Sequence, residues 1–381
     1  MTTLDYLEKL LAFDTTSAHP NADLIAWVQA QLVAMGANVQ IIENAEGSKA
    51  NLFATIGPGD RGGVMLSGHT DVVPVDGQPW ADDPFTVVER DGKYFGRGTC
   101  DMKGFDALAI WTLVEAHHRG VKRPLQLALS YDEEVGCTGA PPMIDRMGEV
   151  LPKASAVIVG EPSMMKAVTG HKGGQGFMTH VVGFEVHSSI MHTGVNAIMF
   201  GAKLIDWANQ VNAESMARTP GPLAAMFDPP WTTAHVGTIQ GGTAHNITAK
   251  DCRFGMDFRA VPGENLADWR DRYLTRVREV EAEMQAIHPA ARIDISEKFV
   301  VPGLQPEEEG EAETLVRAIT GDNGGHVVSY GTEAGQFQER GYSAVICGPG
   351  DIAQAHQPDE YITKAQFDAG HDFMRRLLDR L

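Results

Sequence analysis

Three apolar runs in this chain each stop at residues able to hold a metal ion, and that recurrence restricts the fold more than any other feature. Residues 63–66 (GVML) read as a buried strand that halts at Ser67-Gly68-His69-Thr70-Asp71. Leu125–Ser130 reads as a second strand, ending in Tyr131-Asp132-Glu133-Glu134, and 156–159 as a third, ending in Gly160-Glu161-Pro162. Between the first two, Gly96-Arg97-Gly98-Thr99-Cys100-Asp101 sets two glycines and then an acid directly before a helical pattern. Strands alternating with helices make an α/β sheet, and such sheets collect ligands at the carboxyl ends of their strands.

Each piece has a plainer reading by itself. His69 fits an ordinary turn, Asp101 fits a helix N-cap, and the Glu133-Glu134 pair fits a solvated acidic turn. Glu161 is harder to dismiss, because an acid between an apolar run and Pro162 is awkward to bury unpaired. Period-two alternation would point Glu133 and Glu134 to opposite sides of an extended chain, one toward a metal and the other toward a reacting water. Near the C-terminus, Ala355-His356-Gln357-Pro358-Asp359-Glu360 places another imidazole on a loop after a short apolar strand.

The elements around these runs follow in order. Leu4, Leu7, Leu10 and Leu11, then Leu24, Trp27, Val28, Leu32 and Met35, recur at helical spacing. Strands are expected at 37–42 and 51–57, and a helix from Asp101 to about 118. From Gly174 the pattern changes to strand 177–184, helix 197–211, strands 235–239 and 252–259, helix 265–287 and strand 292–301, the order of a small α+β sandwich. After Pro302 a helix, an apolar strand and a last helix resume the earlier pattern. The expected organisation is therefore an α/β domain built from 1–174 and 299–381, its mixed sheet flanked by helices, with 175–298 inserted as a second domain.

At 381 residues the chain has room for about two domains. Its 31 basic and 50 acidic residues give a net charge of −19, which argues against nucleic acid or an anionic membrane as partner. Cys100, Cys137, Cys252 and Cys347 are too scattered for a thiolate zinc site or a disulfide framework. Asp5 and Glu8 interrupt the first apolar pattern, unlike a secretory segment, and no apolar run reaches the ~18 residues of a membrane span. The cytoplasm is the expected location.

Taken together, two histidines and four acids form an oxygen- and nitrogen-rich set suited to zinc, cobalt or manganese. A pair of such ions needs a bridging carboxylate, and the inventory contains one. Over its whole length the chain resembles the M20 metallopeptidase family, through SGHTDVVP, GRGTCDMKGF, LALSYDEEVGCTGAP, VIVGEPS, EVHSSIMHTGVNAI, YGTEAGQFQERG and CGPGDIAQAHQPDEYI. The resemblance implies two divalent ions, zinc foremost and cobalt possible, with Asp101 bridging them. His69 and Glu161 would complete one ion and Glu134 and His356 the other. It also implies that Glu133 is the general base, that Asp71 backs a histidine ligand, and that the inserted domain is a lid through which a homodimer forms. His187 would reach the substrate from that lid, with Asn246 and Arg259 among its substrate contacts; His245 departs from the apolar residue usual before the asparagine. The implied substrate is a small N-acyl amino acid. The metal-site motifs do not separate members that remove acetyl, succinyl or other acyl groups. A non-catalytic relative, kept as a binding module, could dispense with Glu133 or a ligand, yet all are present here.

Overall fold

Five strands are buried along almost their whole length: Ala50–Ile56, Val64–His69, Leu125–Ser130, Ala156–Pro162 and Ala344–Gly348. Strands covered on both faces read as continuous apolar runs without alternation, which is how four of these five stand in the sequence. They form the centre of an 8-stranded sheet in the computed structural model, which describes residues 1–60 and 62–381. Its order is Asn38–Glu43, Ala50–Ile56, Leu125–Ser130, Val64–His69, Ala156–Pro162, Ala344–Gly348, Val168–His171 and His326–Val328. The pairs flanking Val64–His69 are parallel, whereas Ala50–Ile56 runs antiparallel to both its neighbours, so the sheet is mixed.

Register decides which side chains meet at the sheet edge. His69 lies opposite Ser130, and Ser67 opposite Val159. Two residues further along, His69 and Glu161 are therefore level, and Glu133 and Glu134 follow just past Ser130.

Helix Lys103–Arg119 packs on this sheet and against helices Thr3–Leu11 and Lys364–Leu378. It buries Phe105, Leu108, Ile110 and Leu113, each side chain worth about 1.5–3 kcal/mol when fully removed from water. Gly120, at φ 66°, closes it in the left-handed conformation that favours glycine. Strand and helix approach so closely that a Cβ on Gly160 would lie 2.1 Å from the Phe105 ring. Asp101 does not cap this helix; Met102 occupies the N-cap without a side-chain hydrogen bond, which frees the Asp101 carboxylate for other partners.

Two compact units emerge: Met1–Gly170 with Leu304–Val327 and Thr332–Leu381, and His171–Gly303 with Val328–Gly331. The second contains a 4-stranded antiparallel sheet in the order Thr233–Gly241, Asp251–Ala260, Gly173–Val182, Arg292–Val301. Alternation is clean in Asp251–Ala260, where Cys252, Phe254, Met256 and Phe258 are buried. Those residues form one apolar cluster with Leu204, Ala208 and Val211 of helix Ala197–Ala217 and with Trp269, Tyr273 and Val277 of helix Leu266–Gln285. Arg253, Gly255, Asp257 and Arg259 belong to the other face. Among the described residues no helix is long and apolar enough to cross a membrane.

Candidate active site

His69 is the last residue of its strand and only 1% exposed. Its Nε2 lies 3.1 Å from Asp101 Oδ1 and 3.7 Å from Glu161 Oε1. On the other side of the same carboxylate, His356 Nε2 lies 3.3 Å from Asp101 Oδ2 and 3.0 Å from Glu134 Oε2. Asp101 thus stands between two imidazoles, with one oxygen toward each. Ligand atoms of His69, Glu133 and Glu161 lie within 4.8 Å of one another, as do those of His69, Asp101 and Glu134. All six residues come from strand ends or the loops after them, and all belong to the first unit.

Asp71 organises this edge. The nearest acceptor for His69 Nδ1 is the main-chain carbonyl of Asp71, at 2.9 Å, while the carboxylate stands 3.6 Å away. That carboxylate instead accepts the backbone N–H of Glu133 at 3.1 Å and of Glu134 at 3.3 Å, and the Ser17 hydroxyl at 2.7 Å. One buried acid therefore fixes the turn that carries the two glutamates. The extended geometry expected there is not found: the strand ends at Ser130, and Asp132 adopts φ 57°, paired with Lys49. The glutamates are separated by a turn rather than by strand pleating. Cys137 Sγ donates to Glu133 Oε1 at 3.1 Å.

Charge is crowded here. Burial pushes the carboxyls of Glu133 and Glu161 up, and that of Glu134 up to about 8, with Asp101 adding repulsion to each. Burial acts on Asp101 in the same sense, but hydrogen bonds from His356 and His69 outweigh it and hold its carboxyl well below the usual range. Burial alone would lower His69, yet its contact with Asp101 and the nearby glutamates raise it well above the usual imidazole value. His356 is raised to about 10 by its bonds to Asp101 and Glu134. Among the described residues none of these four acids pairs with a lysine or arginine, and Glu134 Oε1 has no hydrogen-bond partner. Four carboxylates and two imidazoles sharing one partly dry space, with an orphaned oxygen, fit divalent cations of the kind bound by nitrogen and oxygen donors.

His187, Asn246 and Arg259 lie in the second unit. His187 Nδ1 accepts the backbone N–H of Ser189 at 3.2 Å. A peptide N–H can only donate, so the proton of the neutral ring sits on Nε2, on an exposed residue. A bridge between His187 and Ile247, with the Ser188 N–H donating to the Asn246 carbonyl at 2.9 Å, brings the histidine and asparagine loops together. His245 is exposed beside them. Arg259 Nε donates to Asp257 Oδ2 at 3.1 Å on the half-exposed sheet face.

Some partners carry no signal in the sequence. Ser17 and Cys137 are ordinary residues until the fold brings them to Asp71 and Glu133. Glu333, buried and pushed up to about 8, accepts from the Ser130 hydroxyl; only its place inside YGTEAGQFQERG marked it.

Residues 65–380 match the family model described as peptidase family M20/M25/M40. An acetylornithine deacetylase from Myxococcus xanthus is 35% identical over 363 residues, covering 93% of this chain and 91% of that protein. Among solved structures, an M20 family metallo-carboxypeptidase from Sulfolobus solfataricus superposes with a TM-score of 0.77 at 16% identity, over 99% of this chain and 98% of that one. A dinuclear metal-binding peptidase of the M20 family from Bacillus subtilis gives 0.62 at 13% identity, over 99% and 96%.

Proposed function

The chain belongs to peptidase family M20/M25/M40, and from that premise we propose that it deacetylates N2-acetyl-L-ornithine, releasing L-ornithine and acetate, as a cytoplasmic enzyme of arginine biosynthesis. It is a metal-dependent hydrolase of this family. The observation that carries the chemistry is the Asp101 carboxylate, whose two oxygens face two different imidazoles, 3.1 and 3.3 Å away. The substrate reading is supported by similarity to acetylornithine deacetylases across more than nine-tenths of the chain.

In this reading two divalent ions, zinc foremost and cobalt as an alternative, would be held by His69 and Glu161 on one side and by Glu134 and His356 on the other, with Asp101 shared between them. When bound, such ions polarise an amide carbonyl and lower the pKa of water. Glu133 takes the proton from the attacking water and delivers it to the leaving amine, the two halves of general acid–base work. Its side chain suits the task because burial raises its basicity and the Cys137 thiol holds one oxygen. Asp71 acts as a positioning residue, holding the main chain of Glu133 and Glu134. His187, with its proton on Nε2, donates to the oxyanion that develops on the amide carbonyl, and Asn246 and Arg259 bind the substrate. We assign 1–174 and 299–381 to catalysis and 175–298 to a lid that forms a homodimer and brings His187 to the partner's substrate.

A side-by-side assay tests the substrate. N2-Acetylornithine is expected to give a clearly higher kcat/KM than N-acetylmethionine or N-succinyl-diaminopimelate. A reversed ranking would transfer the same chemistry to a different acyl-amino acid.

A further inference from the structure

Three loops distant in sequence converge on the His356 side of the metal-ligand cluster through side chains with no role so far. Glu360 is 1% exposed, and its Oε1 accepts three backbone N–H groups, those of Gly98 at 3.0 Å, Cys100 at 3.0 Å and Asp101 at 3.1 Å. Its Oε2 accepts from Arg97 at 2.6 Å, in an ion pair with both side chains buried. One carboxylate therefore dictates the path of the loop into Asp101. Gly98, at φ 88°, supplies the left-handed turn that this path needs.

Arg97 extends the connection. Its second terminal nitrogen donates to Gln78 Oε1 at 2.6 Å, and the Trp80 indole N–H donates to the same oxygen at 3.1 Å. Both groups are donors only, so the orientation of the Gln78 amide is fixed by chemistry. Its Nε2 then donates to the main-chain carbonyl of His356 at 3.1 Å. The result is an arc from the Asp101 N–H through Glu360, Arg97 and Gln78 to the His356 carbonyl, closed by the 3.3 Å contact between the His356 and Asp101 side chains.

The two halves of the cluster are supported differently. His69 and Glu161 lie within strands, where ladder hydrogen bonds fix the main chain. His356 lies on a loop, half-exposed, at φ 61°, a backbone conformation that a histidine rarely adopts and that its surroundings must impose. We propose that Gln78, Arg97 and Glu360 are positioning residues: Glu360 presets the main chain at Asp101, the acid shared by both ions, while Gln78, held by Arg97, presets His356 and so governs the affinity of the ion on the His356 side selectively over that of the His69 ion. The inference rests on the two-ion reading above. Outer partners of metal ligands typically change metal affinity by about 10- to 100-fold.

The test is a calorimetric zinc titration of metal-free protein, comparing the unaltered chain with Gln78→Ala, Glu360→Gln and His356→Ala. Gln78 is partly exposed, so its replacement is compatible with folding even if Glu360→Gln is not. The unaltered chain is expected to bind two ions. Gln78→Ala should weaken one of them about 10- to 100-fold and leave the other within about threefold, the scale of an outer-partner effect on one site alone. His356→Ala should lose that same ion, and adding Gln78→Ala to it should not weaken the remaining one further, because among the described residues Gln78 bonds to the ligand residues only at the His356 main chain. Two ions in the unaltered chain with equal weakening of both, or of neither, in Gln78→Ala would overturn the proposal. A single ion in the unaltered chain would instead refute the two-ion reading beneath it.

Discussion

Replacing Glu133 by glutamine removes one proton acceptor and one negative charge while keeping the shape of the side chain. The backbone bond from Glu133 to Asp71 does not involve that side chain and survives, so the turn carrying Glu134 should hold its place. Loss of a general base costs about 100- to 10,000-fold in kcat, or about 2.7–5.4 kcal/mol of transition-state stabilisation. The metal-free protein should respond in the opposite sense. Burial raises the Glu133 carboxyl, so its ionised form is disfavoured in the fold, and a neutral amide should melt no lower than the glutamate at pH 8. Glu134→Gln differs, because Glu134 Oε2 lies 3.0 Å from His356 Nε2 on the metal side; that variant should lose an ion and regain activity in excess zinc. Acetate release from N2-acetylornithine, zinc content after dialysis and metal-free melting temperature together separate the two. Equal loss of metal in both variants with equal rescue, or a Glu133→Gln enzyme retaining more than roughly a tenth of kcat, would refute the assignment of the base.

Further outcomes follow from the same geometry. A carboxyl whose folded pKa exceeds its unfolded value loses stability as pH rises between the two. With Glu134 raised from 4.5 to about 8, Glu133 and Glu161 raised also, and His356, raised from 6.5 to about 10, acting in the same direction, the metal-free protein should melt progressively lower from pH 5 to 8. Zinc should flatten that slope in scanning calorimetry, and identical slopes would contradict the electrostatic picture. Asp71→Asn turns an amide N–H toward donors from Ser17, Glu133 or Glu134; at least one buried donor is left unpaired at about 1–3 kcal/mol, with zinc retention on dialysis reduced. Unchanged retention and melting would remove Asp71 from its positioning role. His187→Ala should lower kcat by about 100- to 1,000-fold with metal content unchanged, as for a lost oxyanion donor. Mixing that variant with Glu133→Gln chains should restore activity if the histidine serves its partner; exchange without recovery would place it in its own chain or outside catalysis.

The central sheet was legible because its strands are covered on both faces and so appear as apolar runs such as VIVG and LQLALS. Short elements were not. Val168–His171, His326–Val328 and Tyr361–Thr363 have too few residues for a period to show, and helix Ala140–Val150 opens on Pro141-Pro142, which reads as a loop although proline is tolerated in a first helical turn. Asp101, Glu134, Glu161 and His356 stood out as acids and an imidazole beside strand ends. Their supports did not, because Arg97 and Glu360 are 263 positions apart and Ser17 and Asp71 are 54 apart; such pairs exist only after the chain closes. The bend at Asp132 was likewise invisible, since a left-handed aspartate needs Lys49 and the Asp71 carboxylate to hold the turn.

Anomalous diffraction at the zinc edge from a crystal of the zinc-loaded protein tests the central claim most directly. Two peaks are expected beside Asp101, about 3.5–4 Å apart, one between His69 and Glu161 and the other between Glu134 and His356. One peak at full activity, or peaks away from Asp101, would contradict the two-ion centre.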